Sequence, residues 1–230
     1  MIRFKPVCVI IYIALISATC TAAEESKIAT GKNVIESIPY ELTAEGEQLG
    51  SVKINNNAVE IVATKGTDLF TDTTGTKNEE KTPRLVFSPK GDFIFSAKVS
   101  AKFGNSPYEG GALIVYSESK SWGKLLFEKF KSGKIGVATT VSKGTGDDAY
   151  HGSRDTSFQY LKVVRHDSSY IFYTSQDGAE WNFVRHFELK ADNPVRLGFI
   201  AQSPVGDSFS ATFSEIKFRA GKITNFWQGE

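Results

Sequence analysis

Apolar residues downstream of position 24 recur at every second position, and none of the longer runs keeps the 3.6-residue period of a helix. The clearest case is 93–103. Phe93, Phe95, Ala97, Val99, Ala101 and Phe103 fall on one face of an extended chain, and Ile94, Ser96, Lys98, Ser100 and Lys102 on the other. Such a segment is a strand that buries one face and wets the other. Similar runs occur at 58–63, 84–88, 111–117, 122–130, 135–141, 158–166, 169–175, 180–187, 195–201 and 207–218, rich in aromatic and β-branched residues. About twelve strands separated by turn signals predict an all-β sandwich or barrel.

The turns are legible. Lys90-Gly91-Asp92, Lys131-Ser132-Gly133 and Gln176-Asp177-Gly178 are tight reversals in which glycine supplies a positive φ. Thr64 to Thr82 and Ser142 to Thr156 read as long loops, which in a compact domain are often functional. No internal repeat or linker interrupts the chain.

The first residues predict an export signal. Arg3 and Lys5 precede an apolar segment, Val7 to Ile16, and the small residues Ser17, Ala18, Ala22 and Ala23 follow. The apolar segment is short for a bilayer span. Cleavage is expected near Ala22 or Ala23, giving a signal peptide at 1–23, a leader and first-strand region at 24–50, a sandwich at 51–220 and a tail at 221–230. An uncleaved anchor and lipidation at Cys20 are the alternatives, although Ser17-Ala18-Thr19 matches a lipid-attachment box poorly. The only two cysteines, Cys8 and Cys20, lie in this segment. The exported domain would therefore fold without a disulfide, periplasmic or secreted, with no membrane span. Phe226 and Trp227 stand out in the polar tail and are expected to pack back on the sandwich.

The formal charge is +1. Glu118 precedes and Glu128 interrupts the most basic stretch, Lys120 to Lys134, so the dense basic stripe that nucleic acid requires is missing. His151, His166 and His186 lack metal-ligand spacing, and Gly152-Ser153 lacks the frame of a nucleophile elbow.

Seven blocks follow in order: Tyr108-Glu109-Gly110-Gly111-Ala112-Leu113, Trp122 to Glu128, Asp147-Asp148, Tyr160 to Val163, Ser175 to Trp181, Arg185, and Gly198 to Pro204. Together they resemble the "regulation of enolase" family of unknown function, in the concanavalin A-like lectin/glucanase superfamily. Glu109 departs from the pattern, which usually has Asp there. The resemblance implies a jelly-roll sandwich of two antiparallel sheets. It does not imply an activity.

Within 122–130 the alternation puts Trp122, Lys124, Leu126 and Glu128 on one face and Leu125 and Phe127 on the other. The second set is expected in the core. The first would face the concave side, where the resemblance implies sugars are held. Trp122 would stack on a sugar ring, Lys124 and Glu128 would bond hydroxyls, and Gln202 would reach the same pocket. This points to a non-catalytic carbohydrate-binding module. A glycoside hydrolase or lyase with Glu128 as a catalytic carboxylate is an alternative. It needs a second carboxylate about 5.5 Å or about 6.5–9.5 Å away. The superfamily's glucanases carry both on one strand, whereas this strand offers only Glu128, leaving Asp147, Asp148 or Glu109 to supply the other. A third reading is a structural or protein-interaction domain whose concave face is plugged by 64–82. Asp147 and Asp148, in the glycine-rich stretch Gly144 to Asp148, offer oxygen ligands that suit calcium. Ser175 to Trp181 reads as a structural hairpin in which Asp177 accepts backbone N–H groups.

Overall fold

The structure, a computed structural model, describes residues 34–189 and 194–230. Two seven-stranded sheets face each other. The first has the order β1 (Thr43–Glu45), β6 (Arg84–Phe87), β15 (Arg196–Gln202), β8 (Gly110–Glu118), β9 (Ser121–Lys129), β10 (Ile135–Lys143), β11 (Gly146–Ser153). The second runs β14 (Trp181–Glu188), β13 (Ser169–Ser175), β12 (Phe158–His166), β7 (Phe93–Ala101), β16 (Ser208–Ala220), β3 (Ala58–Thr64), β2 (Gly50–Asn55). The pairings are antiparallel, and the architecture is a jelly-roll β-sandwich; the alternation predicts a sandwich or barrel, and the family resemblance implies the jelly roll.

The core between the sheets takes the residues of the predicted parity. Phe93, Phe95, Ala97 and Val99 of β7 meet Leu125 and Phe127 of β9 and Leu197 and Phe199 of β15. Aromatic rings knit the layers, with Phe95–Phe199 centroids 5.3 Å apart and Phe199–Phe213 4.9 Å apart. Ile35, Ile38 and Leu42 are buried in the same core. The described part of the expected leader is thus packed rather than loose. The proposed signal segment, Cys8 and Cys20 lie outside the described residues. No helix among the described residues is long and apolar enough to cross a membrane.

Both segments read as loops contain strands. Within 64–82 the chain forms the hairpin β4 (Asp68–Thr71) and β5 (Asn78–Lys81). Within 142–156, β11 pairs with β10 as the edge of the first sheet. The hairpin covers part of the first sheet's outer face, the face turned away from the second sheet. That face is apolar there. Leu69 of β4 closes a second core with Val86, Ala112, Ile114, Tyr116, Trp122, Leu126 and Ile200. Its full burial stabilises by about 1.5–3 kcal/mol.

Polar contacts fix the hairpin in place. The Glu80 carboxylate accepts hydrogen bonds from the Tyr116 hydroxyl at 2.7 Å, Lys120 N–H at 2.7 Å, Ser119 at 3.0 Å and Asn78 at 3.0 Å. Burial pushes its proton affinity up, but these donors outweigh burial and hold the carboxyl below its ordinary range. Thr67 bridges to Ser203 at the near end, and the Gly146 N–H donates to Asp72 O at the far end. A Cβ at Gly146 would sit 1.7 Å from Thr71 O, so only glycine lets β11 pass this close beneath the hairpin.

At the opposite face, Lys162 of β12 is buried. It donates to Gly229 O at 3.0 Å and Glu230 Oε1 at 2.5 Å, and lies 4.1 Å from the Trp181 ring centre. The tail folds back over this lysine, with Phe226 and Trp227 against Phe183. The Ser175 to Trp181 turn is built as expected, Asp177 accepting the N–H groups of Ala179 and Glu180 at 2.9 Å each.

Trp122 is 0% exposed, and its indole N–H has no partner among the described residues. Trp122→Ala is therefore expected to lower stability by about 3–5 kcal/mol, read in a urea or thermal melt. Trp122→Phe, which removes the unpartnered donor and keeps an aromatic ring, should cost clearly less. An alanine variant that melts with the parent would show that the hairpin does not seal this face.

Candidate functional site

The hairpin covers only the Trp122 half of the outer face. Beyond it, towards Glu128, a cleft of about 440 Å³ remains open. Period two along β9 presents Lys124, Leu126 and Glu128 to its floor. Asp68, Phe70 and Lys77 of the hairpin region line one wall, and Asp148, Ala149 and Tyr150 of β11 another. Tyr108, Gln202 and Pro204 line the rest, with Val205.

Three of the four expected ligand-binding residues, Lys124, Glu128 and Gln202, thus share one cleft. Trp122 does not. It belongs to the apolar cluster beneath Leu69 and has no surface on which a ring could stack. The reason is the hairpin, whose apolar residues come from a segment that reads as polar loop. Tyr150 is the exposed aromatic of this cleft instead, at 61%. Its ring is braced edge-on by Phe130, with centroids 4.8 Å apart.

Asp147 and Asp148, the residues expected to offer oxygen ligands that suit calcium, are placed apart. Both residues lie on β11, so their side chains leave opposite faces. Asp148 faces the cleft, where its carboxylate accepts from the Thr140 hydroxyl at 2.5 Å. Asp147 turns away to pair with Arg185 at 2.6 Å. Among the described residues no group of three or more His, Cys, Asp or Glu is disposed to hold a metal ion. Glu109 has the other parity. It is buried beside Gly206 and Ser106 rather than in the cleft.

The floor has a defined electrostatic structure. The Lys124 ammonium is buried and donates to Leu69 O at 2.6 Å and Gln202 Oε1 at 2.9 Å, with Asp68 Oδ1 at 3.9 Å. Gln202 passes the order on, its amide N–H donating to Tyr108 O at 2.9 Å. Tyr108 is held there at φ +67°, a left-handed conformation that a bulky residue adopts only when its surroundings impose it. Glu128 is different. It is 4% exposed, and no hydrogen bond reaches its carboxylate among the described residues. Burial pushes its pKa up to about 7, Lys124 opposes that, and Asp68 and Asp148 add to it. Burial also raises Asp68, against the pull of Lys124. The Tyr150 hydroxyl is raised by burial and then by Glu128, Tyr108 and Asp148, which places these four groups around one space.

The fold and its family are independently recognisable. A family profile described as "Protein of unknown function (DUF1349)" matches residues 48–221. That description names no link to enolase, which stays with the sequence resemblance. No curated protein matches the chain. Among solved structures, a functionally unknown protein from Saccharomyces cerevisiae superposes with a TM-score of 0.71 at 19% identity, over 78% of this chain and 96% of that one. A xylan beta-1,4-xylosidase from Bacillus halodurans gives 0.58 at 13% identity, over 78% of this chain and 39% of the enzyme. A bifunctional GH43-CE protein of Bacteroides eggerthii gives 0.60 at 15% identity, over 77% of this chain and 23% of that one. The chain therefore spans well under half of each of these two larger proteins, and at these identities the likeness is one of fold.

The raised Glu128 carboxyl has a consequence for stability. Below pH 4.5 it is protonated in both folded and unfolded chains and contributes nothing. Between 4.5 and about 7 the unfolded chain ionises while the folded one keeps its proton, so stability falls as pH rises. Above about 7 the folded chain carries a desolvated charge at a cost on the order of 3 kcal/mol. Glu128→Gln should thus melt higher than the parent at pH 8 and together with it at pH 4, in thermal scans of both proteins. Equal melting temperatures at both pH values would refute the burial of that charge.

Proposed function

This chain belongs to the family described as "Protein of unknown function (DUF1349)", and we propose that it is a non-catalytic module binding carbohydrate in the cleft between the hairpin and β11. One observation supports this reading above the rest. A cleft with a buried, ordered polar floor is bordered by an exposed tyrosine ring. Sugars present apolar ring faces and hydroxyl edges together, and a site that binds them combines an aromatic platform with a few fixed polar groups. Tyr150 offers the platform. Gln202, Glu128 and Asp148 offer the polar groups, and Lys124 holds Gln202 in register.

The reading includes export, which rests on the apolar segment Val7 to Ile16 and the small residues after it. The larger proteins of similar fold are named for xylan and for GH43 chemistry, so xylo-oligosaccharides belong in the first test panel.

The test is isothermal titration of the full chain against xylo-, cello- and glucosamine-containing oligosaccharides. Binding to at least one class is expected. Tyr150→Ala should weaken it by about tenfold or more while the melting temperature moves little, because that ring is exposed. Absence of binding across the panel, or binding indifferent to Tyr150, would sink the proposal.

A second reading, glycoside hydrolysis, is favoured by one specific observation. A carboxyl with a pKa of about 7 holds a proton for a leaving group near neutrality, and Asp68 and Asp148 border the same cleft. Under this reading the full chain releases reducing sugar from the panel, and Glu128→Gln abolishes that release. Such a result would replace the non-catalytic reading.

A further inference from the structure

The lysine at the floor of the cleft is buried and held by the protein's own oxygens. Lys124 donates to Leu69 O at 2.6 Å and Gln202 Oε1 at 2.9 Å, and the Asp68 carboxylate lies 3.9 Å away as its counter-ion. Two of its three donors are thus engaged in hydrogen bonds, and Asp68 balances its charge. The other ammonium, Lys77, stands on the wall 5.6 Å from the Phe70 ring centre. Against these two cations the cleft sets three carboxyl groups, Asp68, Glu128 and Asp148. Asp68 is matched by Lys124, and Asp148 holds one hydroxyl hydrogen bond. Glu128 has neither a counter-ion within 4 Å nor a hydrogen bond among the described residues, although it is 96% buried and lines the void.

A buried carboxylate without a partner is costly, and anything that brings a positive charge or strong donors to it recovers that cost. Neutral hydroxyls would serve it weakly, and a uronate would add repulsion. We infer that the cleft takes an amine-bearing sugar, its ring against Tyr150 and its ammonium on the Glu128 carboxylate. This rests on the proposal that the cleft binds carbohydrate, and it names the class of sugar. The raised proton affinity of Glu128 agrees with it, because an arriving ammonium supplies the charge that the apolar surroundings withhold. The choice of a sugar over a bare amine follows from the neighbouring aromatic ring, which offers a flat apolar face the size of a sugar ring.

The experiment is a titration series on the full chain at about 150 mM salt, where long-range attraction between surface charges is screened. The probes are a glucosamine oligomer, its N-acetylated counterpart, a cello-oligosaccharide and an oligogalacturonate of equal length, and spermidine. The glucosamine oligomer is expected to bind at least about tenfold tighter than the acetylated and neutral oligomers, with the uronate weakest. Glu128→Gln should erase that preference, so that on this variant the glucosamine oligomer binds no tighter than its acetylated and neutral counterparts. Neutral or acidic oligomers binding as tightly as the amine, with Tyr150 still required, would overturn the amine inference and leave carbohydrate binding standing. Spermidine binding as tightly as the glucosamine oligomer would overturn the sugar part. No binding by any oligosaccharide would overturn both readings.

Discussion

The arrangement of the molecule depends on one constraint: the first sheet is apolar on both faces and has a second sheet on only one of them. Leu69 supplies the missing cover on the other side, over Trp122, Tyr116, Leu126 and Ile114. Apolar burial alone is non-directional and would let a short hairpin slide. Direction comes from Glu80, whose four donors belong to the hairpin itself, to β8 and to the turn between β8 and β9. The place where the hairpin stops is where the cleft begins.

The cleft inherits its chemistry from that boundary. Lys124 lies on the border, reaching up to a carbonyl of the hairpin and sideways to Gln202. A lysine buried this deeply is tolerable because it donates to two oxygens and has the Asp68 carboxylate 3.9 Å away as counter-ion. Glu128, one turn of the pleat beyond Leu126, has passed out from under the cover and has lost that kind of support. Two ionisable residues four positions apart on one strand thus have opposite characters, one hydrogen-bonded and paired, the other without a partner among the described residues.

Much of this was readable from residue order. The period-two pattern put Leu125 and Phe127 between the layers and their even-numbered neighbours outside, and Lys124, Glu128 and Gln202 do share a cleft. What alternation cannot report is whether an outward face meets water or another piece of chain. Leu69 and Phe70 are two apolar residues in a stretch of Thr, Gly, Asp and Lys, too few to announce a covering hairpin, so Trp122 read as accessible. The glycines and aspartates of 144–148 read as a loop because edge strands need little apolar content. Once β10 offers its free edge, the same residues pair, and the pleat separates Asp147 from Asp148. Tyr150 left a faint signal, a lone large aromatic in an otherwise polar strand. Tyr108 left none, since its backbone conformation is imposed by contacts distant in sequence.

The hairpin is inserted in the connection between β3 of one sheet and β6 of the other, and it contributes no strand to either. One wall of the cleft can therefore change in length or composition without altering the register of the sandwich. Asp68, Phe70 and Lys77 thus sit on an excursion of the chain that is moored to the layers by Leu69 and Glu80 rather than by any ladder of the sandwich.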